Sequence, residues 1–279
     1  RMKMTISIII TAYNEEKYIK QCLLSLKEQT FKDFEIIVVD DASSDSTLVK
    51  INQLTMKQWN NLTILTQKHQ GLAAARNLGA KKANGKVLLF LDGDMYFDKN
   101  FIKELICPIK QGKTKGTFST EEFVANWDNV WARCWNYNWN LPDKRRVDPK
   151  RADQRREFRA ILKKEFEKAG GFDSVGYTDA WTLSKKLGYG PKAVKAKYYH
   201  YNPSTLKEVF SQAKWVAKRK YKLGLIGQII VLIRSNPVFS LINGLKKAIL
   251  KKEPGFIIFK LVYDFAVVFG ILSKGRKYA

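Results

Sequence analysis

The first hundred residues alternate between short apolar runs and longer stretches with helical spacing. Ile6-Ser7-Ile8-Ile9-Ile10 predicts a buried strand, and Tyr18, Ile19, Cys22, Leu23 and Leu26 then fall on one helical face. Glu35 to Val39 predicts a second strand ending in Asp40-Asp41-Ala42-Ser43-Ser44-Asp45, whose Ser and Asp residues can cap a helix over about 45–58. Leu62 to Leu65 predicts a third strand, and Ala-rich 71–83 a helix. Val87-Leu88-Leu89-Phe90-Leu91 then reads as a central strand buried on both faces. Strands and helices alternating at this spacing imply a doubly wound, mainly parallel sheet with right-handed crossovers.

Further along, the pattern predicts a helix over 98–110, a strand over 114–120 leaving the sheet, a strand over 158–162 and a short helix over 163–169. Val194 to Tyr199 predicts a last strand leading to His200, and Leu206 to Tyr221 an amphipathic helix with a basic face of Lys207, Lys214, Lys218, Arg219 and Lys220. Trp127, Trp131, Trp135 and Trp139 recur every fourth residue. On a helix this stripe drifts by about 40° per step, and it suits a core contact, an acceptor wall or a bilayer interface. Residues 225–249 and 255–272 are apolar but interrupted by Arg234, Asn236-Pro237 and Gly244, and by Lys260 and Asp264. Charges in mid-segment make a simple membrane span costly. Two amphipathic helices lying in the interface are expected instead, with Lys246, Lys247, Lys251, Lys252, Lys274, Arg276 and Lys277 at headgroup level. A dimerisation or core-capping hairpin is the competing reading.

Charge sharpens this division. Residues 1–100 carry a net +3 and residues 101–279 a net +21 of the total +24. Such asymmetry points to an anionic partner, either nucleic acid or an anionic membrane leaflet. The apolar segments beside the basic clusters favour the membrane and disfavour nucleic acid. Lys144-Arg145-Arg146, Lys150-Arg151, Arg155-Arg156 and Arg159 form a basic run read as a solvated surface, or as a site for lipid headgroups or an acceptor's phosphate. Cys22, Cys107 and Cys134 have neither disulfide nor zinc-site spacing.

Chemistry is expected where the central strand ends, because ligands of open α/β sheets bind outside the carboxyl ends of strands. Asp92-Gly93-Asp94 offers two hard oxygen ligands there, suited to Mg²⁺ or Mn²⁺ bridging to a diphosphate. An ordinary Asp-Gly turn is the plain alternative.

Four motifs, Ser7 to Ile19, Val38-Val39-Asp40-Asp41-Ala42-Ser43, Gly71-Leu72-Ala73-Ala74-Ala75-Arg76-Asn77 and Phe90-Leu91-Asp92-Gly93-Asp94, occur in the order and spacing of glycosyltransferase family 2. The chain resembles that family over its first hundred residues and again near 158–215. The resemblance implies a GT-A Rossmann-like α/β fold and an inverting enzyme using a nucleotide-diphosphate sugar. Donor binding would fall to Thr11, Ala12, Tyr13, Glu15, Asp40, Asp41, Gly71, Arg76, Asp92 and Gly93. Tyr13 would border the base and Glu15 would reach base or ribose. Asp40 or Asp41 would accept a base N–H, and Arg76 would counter the diphosphate or orient Asp92. The metal would sit on Asp94, with Asp92 and His200. Gly170-Gly171-Phe172-Asp173 is similar to the family's loop under the acceptor site. Thr178-Asp179-Ala180-Trp181 opens a helix resembling the one that bears the catalytic base. Ala180 stands where a carboxylate is expected, leaving Asp179 as the base candidate.

The implied layout is a GT-A domain over 1–222, with a nucleotide-sugar half over about 1–100 and an acceptor half over about 101–222. A membrane-associating helical tail over 223–279 follows. The expected acceptor is lipid-linked, either a polyprenyl phosphate or a glycolipid hydroxyl, at the cytoplasmic face of the cell membrane. A homo-oligomer is compatible with the tail. Rival readings are a nucleotidyltransferase and, through Ala180, a donor-binding form with impaired turnover.

Overall fold

The computed structural model describes residues 5–58, 61–154, 156–177, 179–219, 221 and 223–273. Arg155, Thr178, Lys220, Lys274, Arg276 and Lys277 of the sequence readings lie outside them. In chain order the elements are β1 (Ile6–Ala12), α1 (Ile19–Lys27), β2 (Phe34–Asp40), α2 (Thr47–Gln58), β3 (Leu62–Thr66), α3 (Leu72–Lys82) and β4 (Val87–Asp92). Next come β5 (Met95–Phe97), α4 (Phe101–Lys110), β6 (Gly116–Ser119), β7 (Glu122–Val124), α5 (Val130–Asn138), β8 (Ala160–Leu162), α6 (Lys163–Lys168) and α7 (Asp179–Leu187). The chain then runs through β9 (Lys192–Val194), β10 (Tyr198–His200), α8 (Leu206–Ala217), α9 (Gly224–Arg234), α10 (Pro237–Lys251) and α11 (Gly255–Leu272).

Two compact units form. The first comprises residues 1–123, 149–174 and 179–200, and the second residues 124–148, 175–178 and 201–279. The first unit holds a seven-stranded sheet in the order β3-β2-β1-β4-β8-β6-β9. β3, β2, β1 and β4 are parallel, and β8 turns antiparallel to both β4 and β6. This is the expected doubly wound architecture. Ile8, Ile10, Val38 and Leu89 pack into the core on one face, with α1 and α4; Ile9, Val39, Leu88 and Phe90 pack with α3 on the other. Buried on both faces, these strands have no reason to alternate, which is why they read as continuous apolar runs. A Cβ on Gly79 would come within 2.5 Å of Ile9 Cγ2, so glycine lets α3 ride against the sheet.

Two strand readings change. β6 does not leave the sheet, because it lies between β8 and β9. The single strand expected over 194–199 is two: β9 extends the large sheet, and β10 joins a small sheet of order β5-β10-β7. Residues 195–197 between them redirect the chain, so that His200 pairs with Met95 rather than with β6.

The second unit is helical. α11 packs along α8, α10 and α5, and buries Phe256, Phe259, Tyr263, Ala266, Val267 and Ile271. The two helices expected over 225–272 are three, and the last of them buries one face in the core. The tryptophan stripe belongs to that core too. Trp135 is buried edge-on against Tyr263 (5.7 Å) and Phe259 (6.4 Å), while Trp127, Trp131 and Trp139 are partly buried beside it. Residues 223–273 thus pack with 124–148 and 201–217 rather than forming a separate tail.

Candidate active site

β1 and β4 are neighbours, and their register sets Thr11 beside Asp92 at the point where the strand order reverses. Thr11 Oγ1 donates to Asp92 Oδ1 at 3.2 Å. Two guanidiniums hold the same carboxylate: Arg76 at 2.8 Å and Arg159 at 3.3 Å, both buried. Burial alone would raise the pKa of Asp92. The charges of Arg76 and Arg159 override it and hold the carboxyl well below the usual carboxylate range. Arg76 therefore orients Asp92, one of its two expected roles, and its Nε has no partner among the described residues. Arg159 was read as part of a solvated basic run, yet it is buried next to β8. The signal was the apolar stretch from Phe158, which draws its neighbour into the sheet.

Asp94 behaves differently. Its Oδ2 faces His200 Nε2 at 3.1 Å, and His200 Nδ1 faces Glu122 Oε1 at 2.9 Å. Asp94 Oδ1 is buried with no hydrogen-bond partner. When Nδ1–H donates to Glu122, the Nε2 lone pair points at a carboxylate oxygen, and only a proton or a metal cation reconciles the two. The donor set, an orphaned carboxylate oxygen and an imidazole backed by a carboxylate, fits Mg²⁺ or Mn²⁺. Among the described residues no group of three or more His, Cys, Asp or Glu side chains forms a metal cage. With two protein ligands, such an ion would take its others from a diphosphate and water. Glu122 carried no sequence signal, since its partner lies 78 positions away across the small sheet.

The nucleotide side is braced loop to loop. Asn14 N–H donates to Ser43 Oγ (2.9 Å), Ser44 N–H to Asn14 Oδ1 (2.8 Å) and Glu15 N–H to Thr47 Oγ1 (2.7 Å). Ala42 takes φ 63°, a left-handed conformation that costs an alanine roughly 1–2 kcal/mol, and it turns the chain after Asp41. Asp41 accepts from Gln67 Nε2 and from the N–H groups of Gln70 and Gly71, fixing the loop that leads to Gly71 (φ 88°) and α3. Asp40 differs: its Oδ2 accepts from Ser43 N–H, but its buried Oδ1 has no partner. Ala12 is buried opposite Asp40 in the β1–β2 register. Tyr13 is 47% exposed, with its ring 4.4 Å from that of His69, a residue the sequence reading left without a role. Glu15 lies against Gly93, where a Cβ would come within 3.0 Å of Glu15 Cγ. It therefore sits beside the acidic motif rather than beside Tyr13.

Asn77 clamps the Gly-Gly-Phe-Asp loop, donating to Phe172 O and accepting from Phe172 N–H, both at 2.9 Å. A Cβ on Gly171 (φ 76°) would meet Asn77 Oδ1 at 2.6 Å, so the clamp requires glycine there. Asp179 opens α7 and is buried, Ala180 is half-buried, and Leu183 anchors the helix in the core. Asp179 and Leu183 share the buried face by their i, i+4 spacing.

Comparison with known proteins gives this arrangement a context. The model described as "Glycosyl transferase family 2" matches residues 7–170, more than half of the chain. A poly(ribitol-phosphate) beta-glucosyltransferase of Bacillus spizizenii is 42% identical over 124 residues, covering 40% of this chain but only 19% of that protein. The Staphylococcus aureus TarS 1–349 structure in complex with UDP-GlcNAc superposes with a TM-score of 0.58 at 18% identity, over 99% of this chain and 93% of that one. A Pyrobaculum calidifontis mannosyltransferase in complex with GDP-Man and Mn²⁺ gives 0.53 at 18%, over 98% and 76%. The last two likenesses speak to the fold. With the family motifs seated at the switch point of the sheet, the chain belongs to glycosyl transferase family 2.

Proposed function

We propose that this protein transfers a sugar, with inversion, from a nucleotide-diphosphate donor to a lipid-linked acceptor. The observation that carries the reading is the buried, unpartnered Oδ1 of Asp94 beside a carboxylate-backed His200. Asp94 and His200 would hold Mg²⁺ or Mn²⁺, which when bound neutralises the departing diphosphate. Structural neighbours in complex with UDP-GlcNAc, and with GDP-Man and Mn²⁺, support this choice of donor and ion.

The chain's own groups divide the remaining work. Tyr13 and His69 border the nucleotide base, and Asp40 Oδ1 is the acceptor open to a base N–H. Arg76 and Arg159 keep Asp92 ionised and fixed beneath the donor. Asp179 would take the proton of a hydroxyl acceptor. A phosphate-headed acceptor such as a polyprenyl phosphate would need no base, being anionic at neutral pH. Acceptors named for the poly(ribitol-phosphate) relatives also join hydroxyl and phosphate groups. A second reading, a donor-binding form with impaired turnover, draws on the half-buried Ala180 next to a buried Asp179.

Thermal shift with UDP- and GDP-sugars, with and without Mn²⁺, tests the proposal. A true donor should raise the melting temperature by mass action, and more so with the metal. Asp94→Ala should remove the metal-dependent part while leaving the unliganded melting temperature in place. Equal metal dependence in parent and variant would take Asp94 out of the site.

A further inference from the structure

α10 is packed inside out. It turns Ser240, Gly244 and Ala248 towards the helical unit, and leaves Val238, Leu241, Ile242, Leu245 and Ile249 exposed. Gly244 lets the helices approach closely, since a Cβ there would lie 3.2 Å from Ile257 Cα of α11. Small residues between helices and large apolar ones outside is the arrangement of helices that meet lipid rather than water. α9 continues it: no residue of α9 is buried, and Leu225, Ile229 and Ile233 form an exposed i, i+4 stripe with Ile226 alongside. A contiguous apolar surface of this kind marks an interaction site.

Charge identifies the occupant. Between Glu208 and Glu253 the chain has ten Lys and Arg side chains and no acidic one. A half-open cavity of about 530 Å³ lies among residues of α8, α9, α10 and α11 and the turns joining them. Arg219, Arg234 and Lys260 line it, with Asp264 as the lone carboxylate. Asp264 is engaged by Lys260 at 2.7 Å and by Ser240 Oγ at 2.6 Å. Three basic side chains against one carboxylate give the lining a net positive formal charge. Phe239, Val231 and Val267 supply apolar walls. A positive, apolar-walled cavity beside an apolar face matches a phosphate headgroup with its acyl chains. No single helix among the described residues is long and apolar enough to cross a membrane, but α9 and α10 together have the length and composition of a span bent by 67°. With Arg234 at the bend, a path through the hydrocarbon would set that charge near the bilayer centre, so a position on the surface costs less.

We infer that the α9–α10 face docks on a bilayer containing anionic phospholipid, one headgroup phosphate entering the cavity between Arg219 and Arg234. This does not depend on the transfer reaction, and its test reads no turnover. The full chain should float with phosphatidylcholine vesicles containing phosphatidylglycerol, and bind far less to phosphatidylcholine alone. Each basic side chain near an anionic surface is worth about fivefold, so Arg234→Glu should weaken binding roughly thirtyfold. Ile226→Glu combined with Ile242→Glu should abolish flotation. Lys164→Glu, an exposed charge reversal on the other unit, should leave it unchanged. Circular dichroism melting of each variant shows that it is folded. Binding indifferent to phosphatidylglycerol, or a folded Arg234→Glu variant binding as its parent does, overturns the inference. So does a solution dimer that Ile242→Glu dissociates in a chain that ignores vesicles, since a second copy then covers the face.

Discussion

At Asp92 two guanidiniums meet one carboxylate, and the energetic consequence can be given a sign. Because its native pKa is depressed, Asp92 contributes stability that is present above its unfolded value, about 3.9, and is lost as pH falls through the native value. Arg159→Met removes one of the two partners and should cost roughly 1.5–3 kcal/mol at neutral pH, the usual worth of a hydrogen bond to a charged group. The difference from the parent should shrink as the pH is taken below about 4. Urea unfolding at a series of pH values reads this directly, and a gap that stays constant would mean that Arg159 acts through packing alone. Position 180 gives a second test. Ala180→Asp puts a carboxylate beside Asp179 at the start of α7 and is expected to raise turnover with a hydroxyl acceptor by roughly 10²–10⁴-fold. A single-turnover rate within about threefold of the parent, far below that floor, would leave Asp179 or no base as the working mechanism.

Among the elements, α11 decides how the second unit must be handled. Its length and apolar content invite removal as a dispensable tail, but Phe256, Phe259, Tyr263 and Val267 are the counterpart of Trp135 and α8. Phe or Trp to Ala in such a core costs about 3–5 kcal/mol, and deleting the helix removes several such side chains at once. A chain ending near residue 222 should therefore lose the near-ultraviolet circular dichroism of its packed tryptophans and fail to unfold cooperatively. A sharp thermal transition with native tryptophan signals would show that α11 is an accessory after all. Solubility of that truncation says nothing about membranes, which is why point substitutions on α9 and α10 are the sound probe.

Taken over the whole molecule, legibility in the sequence followed locality. β1 to β4, their helices and the turns carrying Asp41, Gly71 and Asp92 were readable because strands buried on both faces and capped helices write local patterns. The candidate donor residues sit on those same strand ends, so the pattern that located the strands located them too. Arg159, Glu122 and His69 were not readable, since each gains its role from a partner far away in sequence: Asp92, His200 and Tyr13. The helical unit was misjudged for a different reason. Apolar periodicity cannot say whether a face meets protein or lipid, and here α11 buries one face in protein while no residue of α9 is buried. One pair of charges bears on that ambiguity while the chain is still being made. Eighteen residues of α11 extend about 27 Å, close to the ~30 Å that a spanning helix must cover. Lys260 and Asp264 near its middle each add about 2.5–3.5 kcal/mol to the cost of entering the translocon's lipid exit. The same pair whose carboxylate ties α11 to Ser240 of α10 thus makes a spanning α11 costly.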